Sequence, residues 1–352
     1  MATTTKIRTT PNAMPGLIGF GILVIIGIAA WVIQLTQGLS VLGIGQTIAW
    51  GLYIVTFLFL AGLAGGLVIL TSLADLQIIP NLRQYRRSFL IGALAAYVAS
   101  GFMILMDIGR PFRVLNMILS ANLSSPFVWD FALLAVSVIV TATYLYAAPK
   151  GKLLPVLAGV VAAAVISVEG WILSMSAGTP LWHGGVTPAT FLIEGFISAS
   201  AILLITQSEG AAVQWLRRAL LVIVPALILL NLFEIASISY AGVPDAQAAI
   251  GLMLANPLYW FVLLLGFVLP VVLLAGWGKQ RQAVVSAGAL LLLAVFASKY
   301  MLLVSGQAFD FMQLPHTYTP TLVEISGVVG IFGLAGFLYL LGLRLVHPKA
   351  AS

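Results

Sequence analysis

The sequence contains no cysteine and only three histidines, and 7% of its 352 residues are charged, against roughly 25% in an ordinary soluble domain. The missing thiols exclude disulfides, thiolate metal sites and iron–sulfur ligation by this chain. The histidines, His183, His316 and His347, fall in connecting or terminal segments. No two of them can face each other from neighbouring helices across a haem. The same scarcity argues against a transition-metal site rich in imidazole. Neither haem nor a metal is expected. So little charge also excludes a soluble monomer, whose surface would be one continuous apolar patch. The formal charge of +6 comes from basic residues at the ends of apolar runs rather than along one face, so nucleic acid is not an expected partner.

What the chain has in abundance is hydrophobic residues, 61% of the total. A helix crossing about 30 Å of bilayer hydrocarbon needs about 20 mostly apolar residues. Such runs recur at 14–34, 46–74, 88–107, 127–148, 153–176, 188–207, 219–240, 257–277, 283–304 and 322–345. They do not alternate as barrel strands would. The expected fold is an all-α integral membrane protein of about ten transmembrane helices, embedded in lipid. The N-terminal segment is polar and lacks a small-residue cleavage site, so the first helix is expected to be retained.

Ten spans place the basic residues on alternate sides. Lys6, Arg8, Arg83, Arg86, Arg87, Lys150, Lys152, Arg217, Arg218, Lys279, Arg281, Arg344 and Lys349 share one side. The other side holds Arg110 and Arg113, and Lys299 lies within a span. The asymmetry predicts a multi-pass protein of the cell's inner (cytoplasmic) membrane with both termini in the cytoplasm.

The chain also echoes itself. Leu119-Ser-Ala-Asn122 and Trp129 are matched by Met253-Leu-Ala-Asn256 and Trp260, His183 with Thr187-Pro188 by His316 with Thr319-Pro320, and Trp50 by Trp182. Offsets of roughly 131–134 residues correspond to four helices, which keeps both copies in the same orientation. This predicts two side-by-side four-helix bundles with one flanking helix at each end. The divisions are 1–45, 46–187, 188–304 and 305–352. Gly62, Gly65 and Gly66 on the second span read as a close helix contact, not a phosphate loop.

Ionisable groups inside a membrane are costly and usually functional. Asp107, Asp130, Glu169, Glu194, Glu234, Lys299 and Glu324 all fall toward the outer side of the predicted topology. As a functional set they suggest a polar pocket opening outward, with Glu234, Lys299 and Glu194 as a possible proton path. As structural groups they would be paired or snorkelling helix ends. A secondary transporter or proton-conducting protein is the competing class, but it predicts charge reaching both faces, and the cytoplasmic half has almost none.

Between the third and fourth spans runs Asp107-Ile-Gly-Arg110-Pro111-Phe-Arg113, then Asn122-Leu-Ser124-Ser125-Pro126-Phe-Val-Trp129. Gly109 and Pro111 force a turn there, and Asp107 is expected to pair with Arg110 or Arg113. These residues resemble the signature of the NrfD or polysulfide-reductase membrane-subunit family, a D-x-G-R-P followed by N-x-x-S-P-x-x-W. Trp50-Gly51 with the glycines of the second span is similar to that family's first core helix. Gly170, Leu173, Ser174 and Pro180-Leu181-Trp182 are similar to the end of its fourth. The resemblance covers 46–207 clearly and 219–304 faintly. Two positions depart from it: Val168-Glu169 precede Gly170 where the family usually has tyrosine, and His183 replaces a smaller polar residue.

The resemblance implies a haem-free anchor that binds a quinone, menaquinone or ubiquinone, near the outer face. It further implies a docked ferredoxin-like 4Fe-4S subunit and a molybdopterin catalytic subunit. Quinone binding or proton transfer would then fall to Asp107, Arg110, Glu169, His183, Trp50, Trp182, Asn122 and Ser125. Of these, Asp107 or Glu169 would accept protons and His183 or Arg110 would contact the ring oxygens.

Overall fold

The computed structural model describes residues 13–147, 151–176, 178–179, 181–207, 209–307 and 318–346. His316, His347, Pro180, Lys6, Arg8, Lys150 and Lys349 lie outside these residues, so the expectations that rest on them are not addressed. Helix is the only regular secondary structure among the described residues. Ten helical stretches there are long and apolar enough to cross a membrane.

The spanning elements in chain order are α1 (Ala13–Gln37), α2 (Leu52–Asp75) and α3 (Arg86–Asp107). A short α4 (Val114–Leu119) precedes α5 (Pro126–Tyr146), α6 (Leu153–Ser174), α7 (Thr187–Gln207) and α8 (Ala211–Ala241). After α9 (Pro244–Ala255), one span is built from α10 (Pro257–Phe261), a π-helical segment (Val262–Val268) and α11 (Leu269–Trp277). The next joins α12 (Arg281–Tyr300) to a second π-helical segment (Met301–Ser305), and α13 (Leu322–Leu345) follows.

Two spans begin elsewhere than the hydropathy pattern predicts. The second starts at Leu52, because residues 45–51 form a non-helical approach whose backbone is tied to side chains of other elements. The seventh starts at Ala211, directly after Gly210 with its positive φ of 112°. Its first turns carry Gln214, Arg217 and Arg218, good helix formers that an apolar window passes over.

α2 packs on α3 and α6, and α5 closes that group by packing on both α3 and α6. A second group closes in the same way, α7 on α8 and α12, and α11 on α8 and α12. The two groups take in spans two to five and six to nine. They meet where α2 and α6 pack on α7, while α1 pairs with α13 and α13 rests on α3.

α2 is apolar all round because it is buried all round. Its close approaches need glycine: a Cβ on Gly66 would strike the Gly195 carbonyl of α7, and one on Gly65 would strike Ile166 of α6. α1 instead turns Ile18, Ile22 and Ile25 outward, as a lipid-facing helix does.

Two indole bonds mark corresponding places in the two groups. Trp129 donates to the Leu123 carbonyl and Trp260 to the Leu254 carbonyl, both at 2.8 Å. Each tryptophan sits just inside a helix that begins with proline, Pro126 or Pro257. The missing N–H of proline is tolerated there because first-turn amides have no partner within the helix.

At the opposite end of the bundle Asp75 accepts from Arg86 at 3.0 Å, pairs with Arg83 at 3.3 Å and receives the Tyr144 hydroxyl at 2.7 Å. The arginines expected only as topology signals therefore also neutralise a carboxylate that the hydropathy pattern does not single out.

Candidate functional site

A cavity of about 980 Å³ opens within the first helix group. Its walls are apolar, with Ile54, Phe57 and Leu58 from α2, Phe102 from α3 and Phe131 and Leu134 from α5. Polar groups converge at one end. Asp107 closes α3, Asn122 and Ser125 come from the segment before α5, and Glu169 enters from α6. Trp50 completes the rim.

Five of the eight sequence-nominated residues thus line one space: Asp107, Glu169, Trp50, Asn122 and Ser125. The other three do not. Trp182 stacks behind Trp50, with ring centroids 5.3 Å apart and planes 13° from parallel. His183 is exposed, and its Nδ1 lies 3.0 Å from the Ser174 carbonyl. Arg110 follows Gly109, whose φ of 67° turns the chain, and is exposed in a separate shallow hollow with Arg113.

The expected ion pair of Asp107 with Arg110 or Arg113 is absent among the described residues. The reason is local. α3 carries Asp107 to the cavity wall, whereas the turn after it sends both arginines to the surface.

Asp130 also lines the cavity, although the sequence marked it only as one of the acids within the membrane. It is 9% exposed, and its Oδ1 has no partner among the described residues. The signal that would have added it to the site is the spacing Phe127, Asp130, Phe131, Leu134, which falls on one helical face.

Glu169 is 1% exposed, and neither of its carboxyl oxygens has a hydrogen-bond partner among the described residues. An unpaired carboxyl buried in an apolar wall is expensive, so a hydrogen-bonding guest in the cavity would gain a ready acceptor or donor. An apolar slot with a few convergent polar groups is the usual character of a small-molecule site.

The rim is braced from the second group. Gln307 Oε1 accepts the N–H groups of Ala49 and Trp50, both at 3.0 Å, and its Nε2 donates to the Trp50 carbonyl at 2.8 Å. Trp182 donates its indole N–H to the Leu302 carbonyl at 2.7 Å, inside the second π-helical segment.

Lys299 and Glu194 lie deeper. Lys299 Nζ is 2.8 Å from Glu194 Oε2 and 2.7 Å from the Phe191 ring centroid. Glu194 Oε1 accepts the Ser298 hydroxyl at 2.7 Å. Glu234 stands apart on the wall of a second cavity of about 130 Å³ in the second helix group.

Glu324, expected either as a pocket acid or as a paired structural group, is the latter. It forms a capping box with Thr321, and Oε2 accepts the Gly43 N–H at 2.7 Å. Oε1 takes the Tyr318 hydroxyl at 2.6 Å.

Among the described residues no three His, Cys, Asp or Glu side chains converge as metal ligands.

Known proteins match along nearly the whole chain. A putative dimethyl sulfoxide reductase membrane subunit from Halobacterium salinarum is 26% identical, covering 94% of this chain and 90% of its own length. The Hdr-like menaquinol oxidoreductase integral membrane subunit of Archaeoglobus fulgidus is 23% identical over 91% and 89%. A selenate reductase subunit from Mesobacillus selenatarsenatis is 21% identical over 92% of each. These relatives and the ten apolar helices make this a multi-pass membrane protein. Residues 40–311, which include the cavity and both helix groups, match the family described as polysulphide reductase, NrfD, and the chain belongs to that family.

Proposed function

We propose that the chain is the haem-free membrane anchor and quinol-interacting subunit of a respiratory oxidoreductase complex. The observation that carries this reading is the 980 Å³ cavity, apolar along its length and acidic at one end. The relatives named as membrane subunits of reductases, and one named for menaquinol, support it.

A bound quinol supplies two electrons and two protons. The chain's own residues do the acid–base and positioning work. Glu169 and Asp107 accept protons, with Asp130 beside them on the same wall. Asn122 and Ser125 are within the polar end and contact ring oxygens. Trp50, backed by Trp182 and with Phe127 edge-on at 6.0 Å, forms a flat apolar face for the ring. Arg110 and His183, outside the cavity wall, belong to the surface around it.

Electrons pass to or from an iron–sulfur subunit docked at the Asn122 end, and through it a molybdopterin subunit. Phe112, Leu119 and Leu123 stand exposed on that end beside Arg110 and Arg113. An apolar patch rimmed by charge suits a protein contact. In this reading both termini lie in the cytoplasm, which the excess of basic residues toward the other end supports by the positive-inside rule.

The test is titration of the purified, assembled complex with a short-tailed naphthoquinol and, separately, a benzoquinol. Saturable binding that Glu169→Gln and Asp130→Asn alter, with reduction of an iron–sulfur chromophore in the wild type, is the expected result. A complex that binds neither quinol, or whose binding ignores both substitutions, would sink the reading.

A further inference from the structure

Glu194 and Lys299 play no part in the site just described, yet they are among the most deeply buried ionisable residues of the chain. What they connect is visible from their neighbours. Ser298, whose hydroxyl donates to Glu194, lines the second cavity, the one that also contains Glu234. On the other side α7, which carries Glu194, packs on α6, whose buried Glu169 lines the first cavity. The sequence of groups Glu169, Lys299, Glu194, Ser298, second cavity, Glu234 therefore runs from one helix group to the other.

The second cavity is not placed at random. Trp50, Asp107, Asn122 and Val128 line the first, and the residues 131 positions on, Leu181, Ile238, Met253 and Tyr259, line the second. The same offset relates Gly101 to Leu232 and Phe131 to Val262. The two spaces occupy corresponding places in the two groups. Leu232 stands at the Gly101 equivalent, and the second space is smaller, about 130 against about 980 Å³. That is too small for a ring with a tail and large enough for a few water molecules beside Glu234 and Asn231.

A buried ion pair between two packed helices is weak evidence for stability, since well-packed apolar residues often serve as well. Here the pair lies between two spaces that each carry polar groups, and two spans lining the second space depart from regular helix: π-helical segments occupy 262–268 and 301–305. Such segments are frequent at functional sites.

We propose that this bridge is a proton route joining the two cavities, with the second serving as a hydrated chamber. The inference rests on the quinol reading of the first cavity. For each quinol O–H that gives its proton to Glu169, one electron leaves to an iron–sulfur acceptor of the docked subunit, and the second O–H repeats the step once Glu169 has passed its proton on. Lys299 has passed a proton to Glu194, so that its neutral amine takes the one held by Glu169. The Glu194 proton moves through the Ser298 hydroxyl to water in the second cavity and to Glu234. Every step exchanges an O–H or N–H bond for another, and no net charge stays behind once Glu234 releases its proton.

The route predicts a separation of electron and proton timing. The assembled complex, oxidised beforehand, is mixed rapidly with a short-tailed naphthoquinol in weak buffer containing a pH-indicator dye. Iron–sulfur reduction and proton release are followed together. In the wild type the two signals rise together. Ser298→Ala and Glu234→Gln, neither of which touches the first cavity, should delay proton release about tenfold or more while the first electron arrives on time. A paired variant, Lys299→Met with Glu194→Gln, removes both charges at once and should show the same lag. Unchanged proton release in Ser298→Ala and Glu234→Gln overturns the route. A wild type whose iron–sulfur signal does not respond to quinol instead defeats the quinol reading on which the route rests, and the two failures are told apart by that signal.

Discussion

Gln307 grips the peptide of Trp50 from both sides, accepting its N–H at 3.0 Å and donating to its carbonyl at 2.8 Å. The residue doing the gripping lies beyond the second π-helical segment, and the residue gripped forms the rim of the first cavity. Trp182 adds a second strut, stacked on the Trp50 ring and bonded to Leu302. The rim of the first cavity in one helix group is thus set by the end of the other.

Gln307→Leu leaves two N–H groups and a carbonyl of a half-buried loop without partners. The loss should cost about 1–3 kcal/mol of stability. The freed Trp50 should raise the KM for quinol about tenfold and leave kcat within a factor of about two. Steady-state kinetics of the assembled complex decides this, and an unchanged KM would show that the strut does not position the ring.

The ion pair of Lys299 and Glu194 gives a prediction about stability alone. Lys299→Met strands the Glu194 carboxylate between α7 and α12, a change of about 3–5 kcal/mol for a buried pair broken on one side. Adding Glu194→Gln should recover most of that loss, because the glutamine can still accept from Ser298. Thermal unfolding in mild detergent checks both. Equal melting temperatures for the single and double variants would mean the two side chains are not coupled.

How much of this was legible beforehand follows from what hydropathy encodes. The spans could be read because each needs its own apolar run. Depth along a helix could be read as well, which is why Glu169 and Lys299 drew notice. Direction around the helix axis could not. Glu169 faces the cavity and Glu194 faces Lys299 only because α6 and α7 rotate as they do against α2 and α12. Arg110 was misplaced for a different reason: Gly109, with positive φ, reverses the chain between it and Asp107. Asp75 was overlooked because a carboxylate at a helix end next to arginines looks solvated, whereas its side chain is 6% exposed.

The glycines of α2 separate into two kinds. Gly66→Ala would drive a methyl group into the Gly195 carbonyl and should push α2 from α7, reducing the yield of folded protein severely. Gly62 has open space where a Cβ would go, so Gly62→Ala should be tolerated and could gain up to about 1 kcal/mol of helix propensity. Comparing expression and melting of the two variants tests the packing directly. Similar behaviour of both would contradict the close approach.

Tyr318 offers a prediction with pH. It lies between spans, its hydroxyl donating to Glu324 and accepting from the Leu52 N–H at 2.8 Å. Burial first, and then the hydrogen bond to the Glu324 carboxyl, push its pKa above the ordinary tyrosine value of 10.0. The folded protein therefore holds this proton more tightly than the unfolded chain does. The contribution to stability is complete below pH 10 and is lost as pH rises above it toward the folded value, because only the unfolded chain is then free to ionise. Tyr318→Phe should flatten that alkaline fall. It should also lower stability at neutral pH by about 1–2 kcal/mol, since Leu52 N–H and Glu324 each lose a partner. The variant keeps every group of the first cavity, so quinol affinity at neutral pH should hold. Melting temperatures from pH 7 to pH 11, measured for both proteins, give the comparison. An alkaline slope identical in the two would mean that the Tyr318 proton is no more tightly held in the folded state than in the unfolded one.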